Sequence, residues 1–255
     1  MAKTLFDLPP PEASQKTQRA NTIETYRKAK QILDADVPDG KTLDFGAGLG
    51  LGAKEMDADA YEPFPREGFK PKYTNPADIP SGVYKKITSL NVLNVVPKEV
   101  RSGIVADIGR ILEPGGEAII QARDNAQIKT IKNFIEGEEP GSKIVLKPNG
   151  EVDTYQKGFG KKELLDYVKE ILGDNFEVKG LGTALNGAGV IVKKLSGPLG
   201  VAATLASMPS SAGEALAEIL MINTAGKGSD IVPPLSEGYD FSSLEPDAEL
   251  FEGNL

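Results

Sequence analysis

The chain has 255 residues, of which 40% are hydrophobic and 26% are charged, and its net charge is −8. These values are typical of a globular protein with a sizeable core. The chain contains no cysteine and no histidine, which excludes disulfides and thiolate metal sites and removes the commonest general base. Any chemistry must therefore depend on carboxylates, other polar side chains or a bound cofactor, and we expect no metal site.

Charge is distributed unevenly along the chain. The stretch from Leu195 to Leu255 carries one basic and nine acidic residues, whereas residues 1–194 carry equal numbers of each. Because neither part is basic, nucleic acid is not a favoured partner. No apolar run approaches the roughly 20 residues of a transmembrane helix. The N-terminus has no basic segment followed by an apolar one, so we expect a cytoplasmic protein without a signal peptide.

Composition divides the chain into three parts. Residues 1–19 contain a triple proline and predict an extended arm. Residues 20–195 alternate helix and strand patterns and predict one folded domain. Residues 196–255 are rich in Gly, Ser, Ala and Pro and predict an acidic tail, with one amphipathic helix over 211–221.

The strongest motif of the folded domain is a glycine-rich turn. A helix pattern over 23–33 precedes a short apolar strand, 41–45, which leads directly into Gly46-Ala47-Gly48-Leu49-Gly50. Glycines at such a turn permit positive φ and let the backbone approach a ligand closely. The spacing differs from the dinucleotide-binding Gly-x-Gly-x-x-Gly, because position 51 is Leu. A turn with a purely structural role is the alternative.

The segment after the turn predicts a second strand that ends in an acid. This strand, 59–62, ends in Glu62, which lies 18 positions after Asp44. A carboxylate there can accept two hydrogen bonds from ribose hydroxyls, although a solvated charge at a strand end is the alternative. The remaining elements are predicted as strands over 83–90, 117–121, 176–181 and 188–195 and as helices over 100–112 and 161–172.

Taken in order, these motifs resemble class I S-adenosylmethionine-dependent methyltransferases. The resemblance is carried by the segments 43–50, Tyr61-Glu62-Pro63, 91–97 and Ile111-Leu112-Glu113-Pro114-Gly115-Gly116. It implies a Rossmann-like α/β fold with a mixed seven-stranded sheet in the order 3-2-1-4-5-7-6 and helices on both faces. The segments 51–57 and 65–74 are short or aperiodic, so we expect trimmed crossover helices.

The resemblance also implies S-adenosyl-L-methionine as the cofactor and a set of residues that bind it. Asp44 and the turn would face the methionine and ribose, Glu62 would bind the ribose diol, and Asp78 would lie near the adenine amino group. Tyr26 would close over the cofactor, and Leu90 would line the methyl-transfer face. The complete predicted cofactor set comprises Asp44, Gly46, Ala47, Gly48, Gly50, Glu62, Pro63, Phe64, Asp78, Asn91 and Tyr26. For Asp78 and Tyr26, an ordinary loop acid and a packing residue are the alternatives.

The methyl acceptor is not identified by any motif. The insertion 124–160, between the predicted fifth and sixth strands, is where such proteins build substrate-specific caps, so a small-molecule or protein acceptor is favoured. The segment Asn91-Val92-Leu93-Asn94 lacks the tetrad of enzymes that methylate DNA amino groups. If a base is needed, the candidates are Asp124, Tyr155 and Glu24.

Two alternatives remain at this point. The domain could be a non-catalytic component of a larger assembly, such as a phage particle, with both terminal arms engaging a protein partner. In that case it would reside in the host cytoplasm or the virion. A nicotinamide-dependent oxidoreductase is disfavoured by Leu51 and by the Pro-Gly-Gly segment.

Overall fold

The computed structural model of the chain describes residues 23–196. The predicted N-terminal arm, the acidic tail beyond residue 196 and the helix predicted over 211–221 lie outside the described residues. No helix of the described range is long and apolar enough to cross a bilayer.

The described chain alternates helices and strands, as the sequence predicts. The helices are α1 (Ile23–Asp36), α2 (Leu51–Met56), α3 (Lys98–Ile111), α4 (Asn125–Lys129) and α5 (Lys161–Leu172), with short 3₁₀ turns at Pro76–Asp78 and Gly173–Asn175. The strands are β1 (Thr42–Phe45), β2 (Asp59–Tyr61), β3 (Tyr84–Leu90), β4 (Leu112–Ala122), β5 (Phe134–Glu136), β6 (Ser142–Leu146), β7 (Val152–Lys157), β8 (Phe176–Gly180) and β9 (Ala188–Lys194).

Six of these strands form the main sheet, in the order β2-β1-β3-β4-β9-β8. The first four are mutually parallel, and β9 runs antiparallel to both β4 and β8. This arrangement confirms the predicted Rossmann-like architecture, with its last strand inserted antiparallel beside β4. The prediction of seven strands is wrong by one, because the third strand of the expected order is missing.

A single residue occupies the place of the missing strand. Tyr73 forms an isolated parallel bridge with Tyr61, in which the Tyr73 amide donates to the Ala60 carbonyl at 3.1 Å. The segment before it has no helix, and α2 has only six residues, so both crossovers are trimmed as predicted. Phe69 from this segment packs against Ala47, Ala53 and Ala60, and its ring covers apolar surface beside the glycine turn.

Helices cover both faces of the main sheet, as β4 demonstrates. Its residues alternate between two apolar clusters: Ala118 and Ile120 belong to a cluster with α3 and α5, whereas Ile119 belongs to a cluster with α1. Because successive side chains of a strand point to opposite faces, this alternation means that both faces are buried.

The insertion between β4 and α5 forms a separate antiparallel sheet of three strands, in the order β5-β6-β7. It is attached to the main fold at two places. The Lys157 amide donates to the Asn94 carbonyl at 2.8 Å, and Asp124 forms a bridge with Phe159.

A buried arginine strengthens this attachment. Arg101 of α3 is 2% exposed, and its Nε donates to the carbonyls of Leu93 and Val96 at 2.9 and 3.0 Å. Its two terminal nitrogens each donate to one carboxylate oxygen of Glu139 at 2.8 Å. Tyr155 of β7 donates to the same carboxylate. Burial alone would raise the pKa of Glu139, but the hydrogen bonds from Arg101 and Tyr155 lower it below its usual range.

We predict that Arg101→Met destabilises the protein by about 3 kcal/mol, the low end for a buried pair, because it leaves the partly exposed Glu139 without its cation. Urea-induced unfolding at pH 7 measures this. Because folding lowers the pKa of Glu139, its ion pair with Arg101 stabilises the folded protein at pH values above the usual carboxyl pKa. The difference between the two proteins should therefore shrink as the pH falls through the pKa of Glu139.

Lys162→Met is the matched control, since Lys162 pairs with Asp166 on the exposed face of α5. We expect a loss of less than about 1 kcal/mol for this exposed pair. Equal effects of the two substitutions would contradict the structural role assigned to Arg101.

Candidate functional site

The glycine turn, residues 46–50, connects β1 to α2 at the carboxyl end of β1. The amides of Gly46 and Ala47 both donate to the Tyr61 carbonyl at 2.9 Å, which ties the turn to β2. Gly46 has a φ of 86°, and a Cβ at this position would lie 2.5 Å from a methyl carbon of Val92. Both the backbone conformation and the space therefore require glycine here.

Glu62 is fixed at the same place by the turn itself. Its side chain is buried, and its two carboxylate oxygens accept hydrogen bonds from the amides of Gly48 at 2.6 Å and Phe64 at 3.1 Å. Burial raises the pKa of Glu62, while these two hydrogen bonds act in the opposite direction. A carboxylate has about four acceptor positions, so two remain for a ligand.

Asp44 lies fully buried beneath the turn. Its Oδ1 accepts a hydrogen bond from Thr88 at 3.1 Å, and its Oδ2 makes no hydrogen bond of good geometry to any described residue. Burial raises the pKa of Asp44 to about 7; the hydroxyls of Thr88 and Tyr26 oppose this, and the charge of Glu62 adds to it. Burial, together with the Asp44 carboxyl, also raises the pKa of Tyr26 well above its usual range.

One cavity of about 910 Å³ opens beside the turn and extends to the three-stranded sheet. We call it the main cavity. Most of the residues singled out from the sequence line it: Tyr26, Gly46, Gly48, Glu62, Pro63, Phe64, Leu90 and Asn91. Their roles in binding a cofactor stay predictions, but the fold brings these residues together around one space.

Four other predicted cofactor residues do not line the main cavity. Asp44 and Ala47 are buried behind it, and a Cβ on Gly50 would meet the ring of Phe69. Asp78 is exposed in the 3₁₀ turn that leads to β3. Because the third strand is reduced to one residue, the loop that carries Asp78 does not end at the cavity.

The three candidate bases are also placed outside the lining of the main cavity. Asp124 caps α4 by accepting from the Gln127 amide at 2.8 Å. Tyr155 bonds to Arg101 and Glu139, and Glu24 is exposed beside Arg27. None of the three therefore lines the main cavity, and Asp124 and Tyr155 are hydrogen-bonded to other residues.

Several polar lining residues were not found from the sequence. They are Arg123, which directly follows β4, and Gln127, Thr154, Gln156 and Asn186. The position of Arg123 at the carboxyl end of a central strand was a usable signal, because ligands of open α/β sheets bind at that edge. Thr154 and Gln156 line the cavity because of the register of β7, which no pattern in the sequence indicated.

Asn91 adopts a left-handed backbone conformation, with a φ of 60°, immediately after β3. Its amide donates to the Gln121 carbonyl of β4 at 2.8 Å. Asparagine tolerates this region better than most residues, and strained backbone is common at functional sites. The chain thus turns sharply at the point where β3 reaches the main cavity.

We predict that the stability cost of the buried Asp44 depends on pH. The folded pKa of about 7 lies above the unfolded value, so the folded state binds a proton that the unfolded state releases between pH 4 and 7. Stability from this group is therefore present at low pH and lost as the pH rises through about 7. We expect Asp44→Asn to be more stable than the unsubstituted protein at pH 8 and to have a clearly smaller advantage at pH 5.

Urea-induced unfolding at the two pH values measures the effect, and Asp78→Asn, at an exposed carboxyl, is the control. A stability difference between Asp44→Asn and the unsubstituted protein that is the same at both pH values would show that Asp44 does not titrate in this range.

Comparison with known proteins gives structural similarity only. No family model matches the chain, and no curated protein matches it. The PH0226 protein from Pyrococcus horikoshii is 12% identical to this chain, with a TM-score of 0.52. The match covers 76% of this chain and 100% of that one. The sugar N-methyltransferase KedS8 from a Streptoalloteichus species is 14% identical, with a TM-score of 0.49, covering 68% of this chain and 87% of that one.

CalS10, an amino pentose methyltransferase from Micromonospora echinaspora solved with S-adenosylmethionine bound, is 14% identical, with a TM-score of 0.48. The match covers 77% of this chain and 98% of that one. At these identities the similarity concerns the fold. The order of the main sheet, with its last strand antiparallel beside β4, gives this chain a Rossmann-like α/β fold, which it shares with the PH0226 protein.

Proposed function

We propose that this protein binds S-adenosylmethionine and transfers its methyl group to a small-molecule acceptor. The observation that carries the proposal is the main cavity, which extends from the glycine turn and Glu62 to the three-stranded sheet. The alternative of a non-catalytic assembly component was motivated by the two terminal arms, which lie outside the described residues. No feature of residues 23–196 favours that alternative.

The residues at the turn fit an adenosyl group. Gly46 and Gly48 line the main cavity with their backbone, and Glu62 presents its unused acceptor positions beside them. Small-molecule sites commonly have volumes of roughly 300–1,000 Å³. The cavity of about 910 Å³ therefore has room for the cofactor together with an acceptor of modest size.

Five of the lining residues then have a defined task. Glu62 would accept hydrogen bonds from the two ribose hydroxyls, and Pro63 and Phe64 would lie against the adenine. Leu90 and Asn91, at the end of β3, would border the space in which the acceptor approaches. When bound, S-adenosylmethionine supplies a methyl group on a sulfonium, which is already a strong electrophile. The chain's contribution is therefore alignment and the exclusion of water, and neither requires histidine.

The walls of the main cavity favour a small molecule over a protein as acceptor. Val95, Val96 and Ile104 line it from the side of α3, and Val145 and Thr154 line it from the three-stranded sheet. Since Arg101 and Glu139 fasten that sheet to α3, the space is bounded by held elements on both sides. A folded protein surface would reach the methyl-transfer region only if this sheet moved away.

We predict that Glu62→Ala weakens binding of S-adenosylhomocysteine by about 1–3 kcal/mol, because two charge-assisted hydrogen bonds to the ribose are lost. This corresponds to a rise in Kd of about 5- to 150-fold, which isothermal titration calorimetry measures. Since Glu62 also holds the amides of Gly48 and Phe64, the variant's thermal unfolding must be recorded beside its affinity.

Glu67→Ala is the matched control, because Glu67 is an exposed acid of the same loop. Its affinity should equal that of the unsubstituted protein. Unchanged affinity in a folded Glu62→Ala variant would exclude the ribose assignment, and the lack of any binding to the unsubstituted protein would refute the proposed function.

A further inference from the structure

Three polar side chains from separate elements meet on one wall of the main cavity. Asn94 belongs to the loop after β3, Arg123 follows β4, and Gln156 lies on β7. We call this cluster the polar wall. None of the roles proposed above for cofactor binding uses it.

The hydrogen bonds within the polar wall fix the orientation of its amides. Gln156 Oε1 accepts from Asn94 Nδ2 at 3.1 Å and from Arg123 Nη1 at 3.4 Å. An oxygen must occupy that position, because a guanidinium nitrogen can only donate. The Gln156 amide nitrogen therefore points away from this junction, and it makes no hydrogen bond to any described residue.

Arg123 and Gln156 thus contribute donors and positive charge to the polar wall, whereas the buried Oδ1 of Asn94, which accepts no hydrogen bond from a described residue, contributes an acceptor. Among the lining residues that the structure describes, Arg123 is the single cation, and its Nη2 donates to the Gln127 carbonyl at 3.3 Å, which holds the guanidinium in place. Asp153 also borders the cavity, but it is exposed, and the alternation of β7 directs its side chain to the opposite face from Thr154 and Gln156.

Apolar side chains line the same cavity as this donor group. Val95, Ile131 and Val145 line the same cavity, and none of them can pair with a polar ligand group. A ligand that fits both features has an apolar body and one group rich in acceptor oxygens. A planar carboxylate matches a guanidinium beside an amide, and such charge-assisted hydrogen bonds are stronger than neutral ones.

We propose that the polar wall is the acceptor subsite and that Arg123 and Gln156 bind a carboxylate of the methyl acceptor. This inference rests on the proposed function, since it assigns the second half of the same cavity. It makes Arg123 and Gln156 specificity-determining residues, which hold the acceptor by a group remote from the atom that is methylated.

The test compares phenylacetate with its uncharged isostere phenylacetamide. Each is titrated against the full chain saturated with S-adenosylhomocysteine, and binding is followed by saturation-transfer NMR. We expect phenylacetate to bind at least about tenfold more tightly, as a charged hydrogen-bonding group implies. Arg123→Gln should reduce this preference to about onefold. Gln156→Glu should do the same, because its carboxylate would occupy the donors of Arg123.

Lys132→Gln is the matched control, since it removes the same charge from an exposed position in the neighbouring segment and outside the cavity lining. It should retain the preference for phenylacetate. A preference that is absent in the unsubstituted protein, or that survives Arg123→Gln, overturns the inference.

The affinity for S-adenosylhomocysteine separates the remaining outcomes. If Arg123→Gln weakens that affinity about tenfold or more, Arg123 holds the cofactor's own carboxylate and the acceptor assignment is wrong. If the unsubstituted protein binds phenylacetate selectively but not S-adenosylhomocysteine, the polar wall is an anion site and the proposed function fails instead.

Discussion

The functional half of this fold depends on one carboxylate held by two backbone amides. Glu62, at the end of β2, accepts from Gly48 in the turn after β1 and from Phe64 in its own loop. The bond from Gly48 joins neighbouring strand ends and holds the glycine turn, whereas the bond from Phe64 holds the loop that follows β2. They also stabilise the charged form of Glu62, whereas its burial raises the pKa. Burying a carboxylate costs free energy unless hydrogen-bond partners compensate for the lost water. The two amides fill only part of its acceptor positions. A ribose diol would complete the set of acceptor positions.

A second constraint joins the inserted sheet to the main fold. In β7, Tyr155 faces inward toward Arg101 and Glu139, so Thr154 and Gln156 face the main cavity. The period of two residues in a strand therefore gives one segment two roles, one in stability and one in lining the site. A shift of register by one residue would exchange them. The Arg101 network thus determines which side chains a ligand meets.

At the β2 edge of the main sheet, two aromatic residues take the place of the missing strand and helix. The third strand is reduced to Tyr73, and Phe69 covers the alanines beside the glycine turn. The same shortening keeps Asp78 on the surface, away from the cavity. In the proposed function, the adenine would therefore contact only Pro63 and Phe64 of the predicted set, and Phe64 is 39% exposed. The contacts proposed for the cofactor and the acceptor are therefore concentrated on Glu62 and on the residues that line the cavity beyond it.

The sequence by itself determined the order of elements, the glycine turn, the acid at the end of β2 and the trimmed crossovers, because local spacing and strand-end position specify them. It placed Tyr26, Glu62 and Asn91 at one site for the same reason. It did not determine the loss of the third strand. That loss depends on how many residues around Tyr73 pair with β2 in the folded protein, and only one does. From the sequence, Tyr155 and Asp124 were candidate bases. In the fold, Tyr155 donates to Glu139 and Asp124 caps α4. The polar wall of Asn94, Arg123 and Gln156 was decided by tertiary structure alone, because its members are up to 62 residues apart in the chain and only the packing of the inserted sheet brings them into contact.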